Sequence, residues 1–208
     1  MQIVREADYW GEGKAFIRSV DPLLGAIIEG REEPPLYSRD DLFQTLVRSI
    51  VGQQISSMAA AAIWQRFVTL VGGKVTAGAV GEQDVPALRG VGLSSRKAEY
   101  ILGIVTAWPH LKTVDFDSMS EKEVRQELLA LRGIGPWTID MVCIFTLLKP
   151  DILPLGDVGV VRMIERLYND GEKLSKSECA EIGERWAPYR TVAAWYLWRG
   201  LDPEVVDY

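Results

Sequence analysis

The chain has 208 residues, of which 48% are hydrophobic and 25% charged; this is close to the globular average and long enough to bury a sizeable core, which argues against disorder, collagen-like repeats and low complexity. The longest apolar run, residues 141–148, falls far short of the roughly 20 residues a membrane-spanning helix needs, and residues 1–10 carry no basic-then-apolar secretory pattern. The formal charge of −6 argues against a general basic surface that grips a polyanion.

Charge is unevenly placed along the chain. Residues 1–41 hold five Lys/Arg against nine Asp/Glu, residues 42–169 thirteen against twelve, and residues 170–208 five against eight. The acidity therefore lies in the two ends. The periodicity is helical almost throughout. After Asp40-Asp41, a helix start, Leu42, Phe43, Leu46, Val47, Ile50 and Val51 recur at three- and four-residue spacing. The next helix is predicted over 56–71, stopping at Gly72-Gly73. Further stripes cover 98–108, 124–131, 137–148, 158–168, 179–186 and 192–198. Ser120 with Glu123 and Ser175 with Glu178 fit the capping-box spacing. No segment alternates with period two for long enough to make a sheet, so the fold class is all-α.

Cys143 and Cys179, the two cysteines, cannot supply the four thiolates of an iron–sulfur cluster or a four-cysteine zinc site; both are expected to be small buried hydrophobes. His110, the single histidine, follows Trp108-Pro109 and is expected in a loop. A chain this poor in His and Cys works with carboxylates, lysines, hydroxyls or backbone groups, and no metal site is expected.

Leu88-Arg-Gly-Val-Gly92 and Leu131-Arg-Gly-Ile-Gly135 form a near-repeat, the second running on into Pro136-Trp137-Thr138. Proline there sits at the first helical position, where its missing N–H costs nothing. Helix, glycine turn and helix make a helix-hairpin-helix. Gly133 and Gly135 are expected to take positive φ and let the backbone approach a ligand closely, leaving N–H groups pointing outward toward an anion at the head of the next helix. A bare Gly-x-Gly also fits an ordinary inter-helix turn; the longer match Leu131 to Thr138 narrows that. A DNA phosphate held by such a seat is bound without many basic side chains, which reconciles DNA binding with an acidic chain.

Five segments occur in order: Ile50-Val-Gly-Gln-Gln-Ile-Ser56, Gly92-Leu-Ser-x-x-Lys-Ala98, Leu131-Arg-Gly-Ile-Gly-Pro-Trp-Thr138, Leu153-Pro-Leu-Gly-Asp157-Val-Gly and Arg190-Thr-Val-Ala-Ala-Trp-Tyr-Leu-Trp198. From about residue 20 onward the chain thus resembles the helix-hairpin-helix-GPD superfamily of DNA glycosylases, in its 3-methyladenine DNA glycosylase II (AlkA-type) branch. Longer members carry an N-terminal β-rich domain for which this chain has no room, so it resembles a minimal catalytic core. The resemblance implies one catalytic unit of two helical lobes around a DNA-binding cleft, about 42–112 forming one, and 1–41 with 113–208 the other, the hairpin lying at about 121–148.

The same resemblance implies the site. Asp157, which by its own context caps the helix at 158–168, maps to the catalytic aspartate. A fixed anion beside C1′ stabilises the oxocarbenium-like transition state of N-glycosidic cleavage, and a ring-methylated purine already carries positive charge, which makes it a good leaving group without a protonating side chain. Trp137 stands where lyase-type relatives resembling endonuclease III carry the Schiff-base lysine, so hydrolysis without strand nicking is expected. The everted base calls for an aromatic pocket, with Trp137 and Trp198 as wall candidates and Met141 where a tyrosine is common; Trp64, Trp186 and Trp195 are read as core. Gln54, in the pair Gln53-Gln54, maps to the wedge that fills the gap in the stack. Contacts to DNA are expected from Gly133, Ile134, Gly135, Thr138, Gln53, Gln54, Arg96 and Lys97. Asp140 is read as a structural hydrogen-bond acceptor. A structural monovalent cation on the carbonyls around Leu129, Leu131 and Gly133 is implied, and no other cofactor.

The expected activity is monofunctional removal of alkylated purines in base-excision repair. Two alternatives stand beside it: a glycosylase for oxidised, deaminated or mismatched bases, and a non-catalytic DNA-binding module. The expected partner is damaged double-stranded DNA, bound by a monomeric, intracellular protein that is cytoplasmic and, in a bacterium, nucleoid-associated.

Overall fold

The computed structural model describes residues 5–31 and 33–201, with Ser57 by its backbone alone. In chain order its helices are α1 Trp10–Val20, α2 Pro22–Glu29, α3 Leu42–Gly52, α4 Ser57–Leu70, α5 Ala77–Gly81, α6 Val85–Gly90, α7 Ser95–Leu111, α8 Glu121–Leu129, α9 Pro136–Phe145, α10 Val158–Tyr168, α11 Lys176–Glu184 and α12 Arg190–Leu201. Among the described residues there is no strand, only an isolated bridge between Glu6 and Tyr37. The all-α reading holds. No helix among them is long and apolar enough to cross a membrane.

Side-chain caps fix most helix starts. Asp41 accepts from the Gln44 N–H, Thr76 from Ala79 and Asp84 from Ala87, and both predicted capping boxes form, at Ser120–Glu123 and Ser175–Glu178. Each such cap is worth about 0.5–2 kcal/mol, which matters most for α5 and α6, of five and six residues, too short to hold without caps and packing.

The structure departs from the predicted elements in several places, and α5 also lies outside the predicted stripes. Helices α1 and α2 were not foreseen: a Cβ on Gly13 would stand 2.7 Å from Val192 Cγ2, so a residue that reads as a breaker is a close helix–helix contact. Helix α7 runs through Pro109, placing the exposed His110 on its last turn, with Nε2 2.6 Å from Glu127 Oε1. Proline so near the end removes one backbone bond, and buried Leu111 anchors the turn. The stripe 137–148 overshoots α9, because the chain leaves the helix after Phe145 and Leu148 takes φ +50°.

The described residues form two compact units. The first is built from residues 41–142, the second from those up to Asp40 and from Cys143 onward. The hairpin thus groups with the 42–112 segment, where the sequence reading set the boundary at 112. In the first unit α3 packs on α4 and α7, and α7 also on α5 and α6, around Phe43, Leu46, Ile50, Phe67, Leu88 and Ile104. In the second, α12 packs on α1, α2 and α10, and α11 on α10, around Trp10, Ile17, Leu24, Ile164, Trp186 and Val192. Cys143 and Cys179 are buried; Trp64, read as core, is only half-buried, stacked on Phe67 at 5.6 Å.

Candidate active site

In the second unit a tight turn delivers Asp157 to the head of α10. The Leu155 N–H donates to Leu153 O at 2.9 Å and the Asp157 N–H to Pro154 O at 2.9 Å. Asp157, with extended φ/ψ, is the N-cap. Its Oδ1 accepts from the Gly159 and Val160 N–H groups at 2.9 and 3.1 Å, and from Trp198 Nε1, on α12, at 2.9 Å. The carboxylate is buried, 7% exposed, while Val158 beside it is 62% exposed, so the anion lies just under the surface. Gly159 makes this possible: a Cβ there would stand 3.1 Å from Asp157 Oδ1 and 3.3 Å from Trp198 Cδ1. Helix dipole, free N–H groups and indole all complement negative charge at this oxygen.

The Trp198 ring stacks on Phe145, centroids 5.8 Å apart and planes at 21°, and the Arg39 guanidinium stands 4.8 Å from the Phe145 centroid. A second buried aspartate shows the purely structural use of the same parts. Asp21 caps α2 with Oδ1 on the Leu23 and Leu24 N–H groups, and its Oδ2 takes the Tyr168 hydroxyl and Trp186 Nε1 at 2.7 and 2.8 Å.

In the first unit the hairpin turn follows α8. Gly133 takes φ +91°, and a Cβ on it would run into the Tyr100 ring. Gly135 does not take positive φ, contrary to expectation, because it precedes Pro136, which confines it toward extended backbone. The Ile134 N–H donates to Leu131 O at 3.1 Å and its side chain is buried. The N–H groups of Gly133 and Gly135 have no hydrogen-bond partner among the described residues; these, at the start of α9, form the candidate anion seat.

The turn between α3 and α4 is tied to that seat. Gln53 Nε2 donates to Gly133 O at 3.0 Å and to the buried Thr138 Oγ1 at 3.3 Å. Lys97 Nζ donates to Val51 O at 2.9 Å and Gln53 O at 2.7 Å, so this lysine caps the end of α3; burial pushes its ammonium below the ordinary lysine pKa. Gln54, next in the chain, is exposed with φ +60°, a strained conformation for a non-glycine residue. Arg96 is exposed, without a hydrogen bond or ion pair among the described residues. An open hollow of about 610 Å³ lies between Gln53, Gln54, Arg96 and Lys97 and the Gly133–Gly135 turn.

Trp137 is partly exposed in the first turn of α9, and Met141, one turn on, is 3% exposed. Asp140 is buried and accepts from Arg125 at 2.5 Å, with burial pushing its carboxyl up to about 6 against that partner. Trp137 and Met141 thus belong to the first unit, Asp157 and Trp198 to the second. Of the carbonyls expected around a cation, Leu131 O accepts from Ile134 and Gly133 O from Gln53; each keeps a second lone pair, so the set fits a cation held by oxygen alone. No group of three or more His, Cys, Asp or Glu among the described residues is placed to hold a metal. The sequence reading did not find the bond from Trp198 to Asp157, which joins residues 41 apart, nor the capping role of Lys97. Gly159, inside the quoted Asp157-Val-Gly motif, was the available signal for the first.

Residues 47–188 match the model of the HhH-GPD superfamily base excision DNA repair protein. DNA-3-methyladenine glycosylase 1 of Schizosaccharomyces pombe is 31% identical over 80% of this chain and 74% of its own. Among solved structures, DNA-3-methyladenine glycosidase of Bacillus halodurans is 36% identical with a TM-score of 0.77, over 96% of this chain and 92% of that one. The Schizosaccharomyces pombe 3-methyladenine DNA glycosylase Mag1, in complex with abasic DNA, is 25% identical with a TM-score of 0.82, over 93% and 99%. Two curated Bacillus subtilis relatives are longer, and the chain spans 66% and 57% of their lengths.

Proposed function

We propose, for a chain that belongs to the HhH-GPD superfamily of base excision DNA repair proteins, that it is a monofunctional glycosylase that removes alkylated purines from duplex DNA by hydrolysing the N-glycosidic bond. The observation that carries this reading is Asp157 Oδ1, held by three N–H donors at the head of α10.

The chemistry follows from where charge develops. As the bond to a methylated purine breaks, the base departs neutral and positive charge grows on the deoxyribose. A carboxylate already fixed in place stabilises that charge without reorganising, and more strongly than it stabilises the ground state. Asp157 serves as this anion and orients the attacking water. Helix α9, Pro136–Phe145, contains no lysine, so no Schiff base forms there and the strand stays intact. Extruding the base costs a few kcal/mol, least where alkylation has weakened pairing. Gln54 fills the gap, Trp137 offers a ring to the electron-poor base, and the Gly133 and Gly135 N–H groups hold a phosphate. The carbonyls of Leu129, Leu131 and Gly133 would hold a monovalent cation, which supplies positive charge beside that phosphate.

Incubating the purified protein with methylated duplex DNA and separating the products tests the reading. Free methylated purine is expected, with strand breaks only after alkali. Absence of free base, or breaks before alkali, would contradict it.

A further inference from the structure

We infer that Trp198 is the positioning residue of Asp157, acting through its indole N–H, rather than a wall against which the extruded base stacks. The inference rests on the reading of Asp157 as the catalytic anion and adds the group that aims it.

The indole has little ring to offer a base. It is 6% exposed, it stacks on Phe145 at 5.8 Å, and its Cδ1 edge lies against Gly159, where a Cβ would stand 3.3 Å away. Its one polar atom is directed at Asp157 Oδ1, at 2.9 Å. The two backbone donors on that oxygen belong to the helix that Asp157 itself caps, so alone they leave the carboxylate free to rock with the cap. A third donor from α12, backed by Phe145 and, over that ring, Arg39, fixes it from a separate element. A catalytic group is effective when its own rotamer is locked by such a second support. At Asp21 the indole of Trp186 takes the other carboxylate oxygen, together with Tyr168; at Asp157 the indole and both backbone N–H groups converge on Oδ1.

The test compares Trp198→Phe, benzothienylalanine at position 198 and Asp157→Asn. Benzothienylalanine keeps the shape of the indole and replaces its N–H by sulfur, so it carries the test should the Phe variant fold poorly. The readouts are single-turnover release of a methylated adenine and of a methylated guanine, and affinity for duplex containing an abasic-site analogue. Loss of one hydrogen bond to a charged group predicts a rate about ten- to a hundredfold lower for both position-198 variants. The factor is the same for the two bases, and affinity stays within about twofold. Full rate with benzothienylalanine, or a loss confined to one of the two bases, overturns the positioning role. Full rate in Asp157→Asn instead removes the catalytic assignment beneath it, so the two failures are told apart.

Discussion

Gly133 and Gly135 look interchangeable as letters and differ in what the backbone asks of them. Gly133 combines φ +91° with the Tyr100 ring where a Cβ would go, whereas a Cβ on Gly135 meets nothing within 4 Å. Left-handed strain and overpacking together put the cost of Gly133→Ala at about 2–4 kcal/mol, so its thermal midpoint is expected to fall by roughly 5–15 °C. Gly135→Ala is expected to keep its midpoint within about 2 °C and to bind duplex DNA several-fold more weakly, because the new methyl obstructs a phosphate approaching the adjacent N–H. Melting curves beside binding titrations separate the two; equal midpoints would contradict the assignment. Part of this was legible: the glycine pair marked the turn, and the proline after Gly135 carried the information that only one of them bends. The Tyr100 contact was not, because it joins a ring on α7 to a turn far along the chain.

Helix identity was more legible than helix use. The stripe at 158–168 coincides with α10 and both capping boxes form, because these depend on spacing within a few residues. Helix α1 was lost because its interface uses Gly13, a contact known only once α12 lies against it. The near-repeat shows the same limit. Its first copy bends at Gly92, φ +107°, its second at Gly133, so matching letters make different turns, and the first is closed by Arg66, whose Nε donates to Val91 O. Lys97 and Arg96 are neighbours that sequence treated as one basic pair, yet Lys97 closes the end of α3 while Arg96 faces solvent. Lys97→Met is therefore expected to lower the thermal midpoint by roughly 2–6 °C, about 1–2 kcal/mol for partly exposed bonds from a charged donor, while leaving the salt dependence of DNA affinity unchanged. For Arg96→Ala the pattern reverses, with an unmoved midpoint and a log affinity–log salt slope shallower by about one. A shallower slope for Lys97→Met would place its ammonium on a phosphate instead.

At the scale of the whole molecule, a net charge of −6 and a seat built from main-chain N–H groups predict weak ionic-strength dependence. With few phosphates neutralised by side chains, the slope of log affinity against log salt is expected to lie at about −2 to −4, from roughly −0.9 per neutralised phosphate. A slope near −9 would mean about ten such contacts and would contradict the backbone seat. The central claim, that one carboxylate at the head of α10 carries the chemistry, is tested most directly by Asp157→Asn, measured for both duplex affinity and methylated-base release. The account predicts affinity within about twofold of the parent and release slower by at least about a hundredfold, the size of losing one preorganised electrostatic contact. Release at the parent rate by a properly folded Asp157→Asn protein would contradict it.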